Sequence, residues 1–236
     1  MKKILFSVFA LVTALLVSSC GSGSSGTAML DLDVRIMPNK DAQQWLERSK
    51  PEAKQYFEEF SNLFTVLPGP YEFTWEELKN QDGASGYEQC ATKLKIRLRL
   101  NKTLKPGIDN GYADGRQMSE ERMMEAVLGS YHFEMFNAEG KTQSEIYQED
   151  DENSKLFLSP GLANVWGANG KIGSKKNTDG ILDFYHFLTS EPGTEFDLIL
   201  DCQIQQCKEI EEIIAYNKGL YIQPTTKVFG NNFRIE

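Results

Sequence analysis

Apolar and polar positions along this chain follow two periods. Over residues 41–67, Ala53, Tyr56, Phe57, Phe60, Leu63 and Phe64 recur at spacings of three and one, the stripe of an amphipathic helix. Asp41 can cap a short first helix, Pro51 suits the first turn of a second, and Leu67-Pro-Gly-Pro70 stops the run. Thr74-Trp-Glu-Glu77 has capping-box spacing and predicts a short helix over 75–80, although Tyr71, Phe73 and Trp75 also read as an alternating strand.

After the turn cluster Asp82–Gly86 the period changes to two. Leu94, Ile96, Leu98 and Leu100 alternate with Lys93, Lys95, Arg97 and Arg99 without a break, which predicts a half-buried strand. Phe196, Leu198, Leu200, Cys202 and Ile204 alternate with a mainly acidic set, Glu195, Asp197, Ile199 and Asp201. The four cations of one strand complement the acids of the other, so the two are expected to lie side by side. Ser119 starts a helix through Leu128, with Gly129 as its stop. Tyr131–Phe136 reads as a strand, Asn137–Gly140 as a hairpin connection and Lys141–Tyr147 as the returning strand. Ile181–Leu188 is helical or extended, and Lys208–Tyr216 is helical. Leu220–Ile235 is extended, with Pro224 confining it to an edge or a loop.

Together these elements predict an α+β fold, an antiparallel β-sandwich-like sheet with an N-terminal helical segment. The helical part spans about 41–80 and the β-rich part about 87–236, within one globular domain over 31–236. A split into two small sub-domains near residue 82 is the alternative.

Composition changes the picture in one respect. Hydrophobic residues make up 40% of the 236, enough for a core, but 34 acids against 25 cations leave a formal charge of −9. Such a chain lacks the basic footprint that nucleic-acid binding requires. It has no cofactor motif, and no cofactor is expected. Gly140-Lys-Thr142 lacks the first glycine of a phosphate loop, Gly83–Gly86 lacks a spacer of the nucleophile elbow, and neither His132 nor His186 begins a His-Glu-x-x-His pair. Both histidines lie between aromatics and read as structural. Carboxylates brought together only by the fold remain open as a hydrolase site.

The first twenty residues carry the most specific signal. Lys2 and Lys3 precede an apolar run, Ile4–Val17, too short to span a bilayer. It ends Leu16-Val-Ser-Ser-Cys20-Gly21, which resembles the lipobox of bacterial lipoproteins. The resemblance implies a signal peptide over 1–19, cleavage before Cys20 and diacylglycerol on the Cys20 sulfur. It implies membrane attachment through the lipid, as two or more acyl chains anchor firmly. Gly21, where retained lipoproteins of enteric bacteria carry Asp, implies the outer membrane, facing the periplasm. Residues 20–30 then read as the lipidated Cys and a Gly/Ser tether. In general architecture the body resembles uncharacterised envelope lipoproteins of Bacteroidetes type, whose partners would be an envelope protein or a glycan.

Beyond Cys20 three cysteines remain, Cys90, Cys202 and Cys207, in a compartment that permits disulfides. Cys202 and Cys207 are spaced to close a local loop, and buried thiols are the other reading. No zinc-ligand spacing is present. Three further features offer candidate chemistry. Lys93, Lys95, Arg97 and Arg99 could bind an anionic partner, or be a solvated face neutralised by acids. Glu149-Asp-Asp-Glu152 lacks the alternation of a calcium loop and reads as a turn. Trp166, flanked by Asn164 and Asn169 in a glycine-rich segment, is a candidate stacking platform for a sugar, or a lid on the core. Trp45 and Trp75 sit in patterned segments and are expected in the core.

Overall fold

The computed structural model describes residues 25–78, 89–107, 116–117, 119–149, 152–162, 179–204, 207–230 and 233–236. In chain order these form β1 (Ser25–Leu30), β2 (Asp33–Ile36), α1 (Lys40–Glu47), α2 (Pro51–Ser61), β3 (Phe64–Val66), β4 (Tyr71–Leu78), β5 (Gln89–Leu100) and β6 (Leu104–Lys105). There follow α3 (Glu120–Ser130), β7 (Tyr131–Phe136), α4 (Gln143–Gln148), β8 (Ser159–Leu162), α5 (Asp179–Leu188) and β9 (Glu195–Gln203). The chain ends with α6 (Ile210–Tyr216), β10 (Gly219–Pro224), α7 (Lys227–Gly230) and β11 (Arg234–Ile235). The class is α+β, as the pattern of periods predicts.

The unbroken alternation of β5 places it inside a six-stranded sheet of order β1-β4-β5-β9-β8, with β3 also paired to β5. Leu94, Ile96 and Leu98 are fully buried and Leu100 nearly so, while the cations alternate outward. The expected neighbour is β9, antiparallel, with Arg97 opposite Asp197, Arg99 opposite Glu195 and Lys93 opposite Asp201. A second sheet has the order β2-β10-β7, and β6 pairs with β11. One apolar core joins the inner faces of both larger sheets to α2, α3 and α5. Its centre is aromatic: Tyr131 lies 5.3 Å from Phe60, 5.7 Å from Phe64 and 5.5 Å from Phe184, centroid to centroid. Such contacts add to area burial through ring quadrupoles.

Several boundaries differ from the sequence expectation. The tether expected over 20–30 is partly sheet, since Ser25–Leu30 pair with Glu76–Tyr71. Gly26 lies against the Trp75 indole, so a Cβ there would clash; this glycine is required by packing rather than by flexibility. The helical part ends at Ser61, because Tyr71, Phe73 and Trp75 alternate as strand β4 and the capping-box spacing at Thr74 is not used. Asn39 rather than Asp41 caps α1, accepting from the Ala42 N–H at 2.8 Å.

The turn expected at Asn137–Gly140 forms, with Gly140 N donating to Asn137 O at 3.0 Å and a bridge from Phe136 to Thr142, but the chain after it enters α4 instead of a returning strand. There Thr142 and Glu145 form a reciprocal capping box, which satisfies two orphan helix donors. Gly129 does not end α3, which continues to Ser130; Thr225 Oγ1 donates to the Gly129 carbonyl and Thr225 N to that of Ser130. Pro224 closes β10, which is the central strand of its sheet rather than an edge. The pairing of β2 stops opposite Ile222, so at Pro224 only β7 lies alongside.

The disulfide is also different. Cys207 joins Cys90 across 117 residues, with Cα atoms 5.2 Å apart, and Cys202 is a buried free thiol. The local Cys202–Cys207 loop does not form because β9 holds Cys202 in register, inside the core, opposite Pro160 of β8. The isolated bridge Cys90–Ile204 brings the start of β5 to the turn that carries Cys207.

Closing a loop of this length restricts the unfolded chain strongly. Cys90→Ser is expected to lower unfolding free energy by about 2–5 kcal/mol in urea titrations. Alkaline pH should act through the two fully buried acids. Burial pushes the Cys202 thiol far above 9.0 and the Tyr131 phenol well above 10.0. Both stay protonated in the fold while the unfolded chain loses those protons. Stability is therefore full below pH ~9 and falls as pH rises, by about 1.4 kcal/mol per pH unit per ionising group. Denaturant midpoints measured from pH 8 to 11 check this, and Cys202→Ala should remove the portion that begins near pH 9.

Candidate functional site

A concave surface is built where α1 turns into α2. Helix α1 buries Ala42 completely and Leu46 partly, so its apolar stripe is narrow. Trp45 stands beside that stripe and remains 40% exposed, contrary to its expected place in the core. Trp75 does pack against the core, partly buried.

The corner itself is held by backbone geometry. Arg48 N donates to Trp45 O at 3.2 Å, Ser49 N to Leu46 O at 3.1 Å and Ser49 Oγ to Trp45 O at 2.7 Å. Pro51 then opens α2 with Lys50 as its N-cap residue. The result is a groove of about 590 Å³ lined by Asp41, Gln44, Trp45, Arg48, Lys50 and Ala53, with Ser49 at its base. That volume is in the usual range for small-molecule sites. Among the described residues, neither Arg48 nor Lys50 takes part in an ion pair.

The cationic ladder behaves differently. Lys95 Nζ lies 3.0 Å from Asp197 Oδ2, and Arg99 donates to Glu195 Oε1 at 2.6 Å. The hydrogen bond and charge of Asp197 raise the Lys95 pKa above its ordinary value. Arg97 and Lys93 stand opposite Asp197 and Asp201, and Lys95 opposite Glu72 on the other side. Two of the four ladder cations thus have a counter-charge in contact, and the other two face acids across the sheet.

Of the other residues singled out in sequence, Cys20, Asn164, Trp166 and Asn169 lie outside the described residues, as do Asp150 and Asp151. Glu149 pairs with Lys141 at 2.7 Å. His132 and His186 are both exposed, and His132 lies 4.0 Å from Glu134. Among the described residues no three His, Cys, Asp or Glu side chains gather as a metal site would require.

The Trp45 groove was the feature that periodicity hid. Its signal in sequence is the short polar break Arg48-Ser-Lys-Pro51 immediately after an aromatic whose helix offers no other large apolar residue except Leu46. No protein-family model, curated protein or solved structure matches this chain.

The paired ladder makes a direct expectation. Asp197→Lys puts a cation opposite Arg97 and beside Lys95, and should lower the melting temperature, with added salt restoring part of the loss. Asp197→Asn should cost less, because exposed pairs contribute little. Thermal scans of both variants at low and high salt check the order.

Proposed function

We infer that this chain is a lipid-anchored cell-envelope protein with a non-catalytic binding or assembly role. The observation that carries the reading is the segment Leu16-Val-Ser-Ser-Cys20, five residues before Ser25, the first described residue and the start of strand β1. Five residues reach at most about 17 Å. A lipid on Cys20 would therefore keep the Ser25 end of the six-stranded sheet next to the bilayer. Ser25 pairs with Glu76, and Glu76 with Ala91, so this is the Gln89 end of β5.

The helical pair is rooted at the other end. It follows β2 at Ile36, and it leaves α2 through Leu63 and Phe64, which reach Asn101 and Leu100 at the far end of β5. Tyr131, close to Phe64, ties the Ile222–Pro224 end of β10 to the same place, and Ile222 is the partner of Ile36. A protein arranged in this way roots its helical pair away from the end of the sheet that Cys20 would hold at the membrane. No helix among the described residues is long and apolar enough to cross a membrane. Gly21 directs it to the periplasmic face of the outer membrane.

Fractionation tests the anchor. The natural chain should sediment with membranes, resist a high-salt wash and incorporate labelled palmitate. Cys20→Ser should be unlabelled and soluble; its continued presence in the membrane pellet, or an unlabelled natural chain, would overturn the reading.

A further inference from the structure

We propose that the groove between α1 and α2 is a binding site for an acidic oligosaccharide, a sugar chain bearing carboxylates. The inference rests on the binding role above and supplies its ligand class. Three observations lead to it.

The first is Trp45. A side chain that gains most by burial is left 40% exposed at the wall of a cavity, on a helix whose core contact is made by Ala42 and Leu46. The face of a pyranose ring carries C–H groups and stacks on an indole, whose quadrupole is negative over the ring.

The second is the remaining lining. Asp41 and Gln44 lie on α1 with Trp45, and Arg48 and Lys50 close the corner. A carboxylate, an amide, a guanidinium and an ammonium supply both acceptors and donors for sugar hydroxyls. Trp45 and Ala53 add apolar surface beside these polar groups.

The third is charge. The chain is acidic overall, and the ladder cations Lys95 and Arg99 are each held by an acid, Asp197 and Glu195. Arg48 and Lys50 are different: the groove sets two cations against the single acid Asp41. Neither cation has a counter-charge in an ion pair among the described residues. A planar guanidinium takes a carboxylate through two parallel hydrogen bonds, and a nearby ammonium adds a point charge. A ligand carboxylate supplies that counter-charge, which a neutral sugar does not.

The corner is also prepared for a ligand. The hydrogen bonds of Arg48 N, Ser49 N and Ser49 Oγ to the last turn of α1, and the fixed φ of Pro51, set the spacing of Trp45, Arg48 and Lys50 before anything binds. Less conformational freedom is then lost on binding. The site lies on helices rooted at the Leu100 end of β5, away from Ser25.

The test uses the full lipidated chain in detergent micelles, titrated calorimetrically with uronate-bearing tetrasaccharides and with neutral tetrasaccharides of equal length. The uronate chains should bind about ten-fold more tightly than the neutral ones. Trp45→Ala should weaken uronate binding by about ten-fold or more and Trp45→Phe by less. The double variant Arg48→Gln with Lys50→Gln should lose the preference for uronate while keeping the weak binding of neutral chains. Because these side chains are exposed, circular dichroism should find every variant folded. Absence of binding to any uronate chain, equal affinity for charged and neutral chains, or uronate binding undiminished in Trp45→Ala would overturn the proposal. Trp166→Ala, in the other candidate sugar platform, should leave the titration unchanged; loss of binding there alone would also overturn it. Membrane fractionation is read separately, so an unlipidated chain that still binds uronate would reject the anchor and keep the groove.

Discussion

The register of β5 is the constraint on which most of this structure depends. Four successive inward positions, Leu94, Ile96, Leu98 and Leu100, are all essentially inaccessible to water, and the three positions between them, together with Lys93 just before, are cations. A slip by one residue would turn every cation into the core and every aliphatic outward. Both flanking strands must therefore match that one phase. On one side β4 does so with Phe73 opposite Leu94; on the other β9 does so with Leu198 opposite Ile96 and Leu200 opposite Leu94. The acids of β9 then complete the outer face. They follow from the register rather than set it, since ion pairs in water are weak and burial of aliphatic side chains is not.

The second sheet and the helices are joined to this scaffold mainly through aromatic rings. Tyr131 opens β7 and sits among Phe60 of α2, Phe64 of β3 and Phe184 of α5; Phe233, near the end of the chain, stacks on Phe60 at 5.9 Å. Three regions distant in sequence, around residues 60–64, 131 and 184, thus meet at one phenol ring, whose hydroxyl finds no hydrogen-bond partner among the described residues. That arrangement holds α2 firmly by Phe57 and Phe60, and leaves the α1–α2 corner free to be polar. The groove at Trp45 occurs where the core asks least of the sequence.

Such a division explains what could be read from sequence alone. The pairing of β5 with β9 was legible because alternation was unbroken in both and their outer charges were opposite. The α3 start was legible because Ser119 caps it through its own side chain, 3.3 Å from Arg122 N. Where a local signal competed with another, the outcome depended on geometry that sequence does not carry. Asn137–Gly140 resembled a hairpin turn, yet Glu145 reached back to the Thr142 N–H at 3.0 Å and made a helix. Five-residue spacing favoured Cys202 with Cys207, whereas sheet registry brought Cys90 to Cys207 from 117 positions away. Trp45 shared a helical segment with core residues, but one helix face just wide enough for Ala42 and Leu46 left the indole outside.

The long covalent loop between Cys90 and Cys207 also governs what a protease could accomplish. Any single cut of the backbone between those two residues, including one in 108–115 or 163–178, leaves two pieces that share a sulfur–sulfur bond. The carboxyl-terminal piece would stay attached to the piece that carries Cys20 until a reductant separated them. A cut before Cys90 lies outside the loop, so no cross-link spans that break, and the two pieces would be held by packing alone: the pairing of β4 with β5 and the rings of Phe60 and Phe64 against Tyr131 and Phe184.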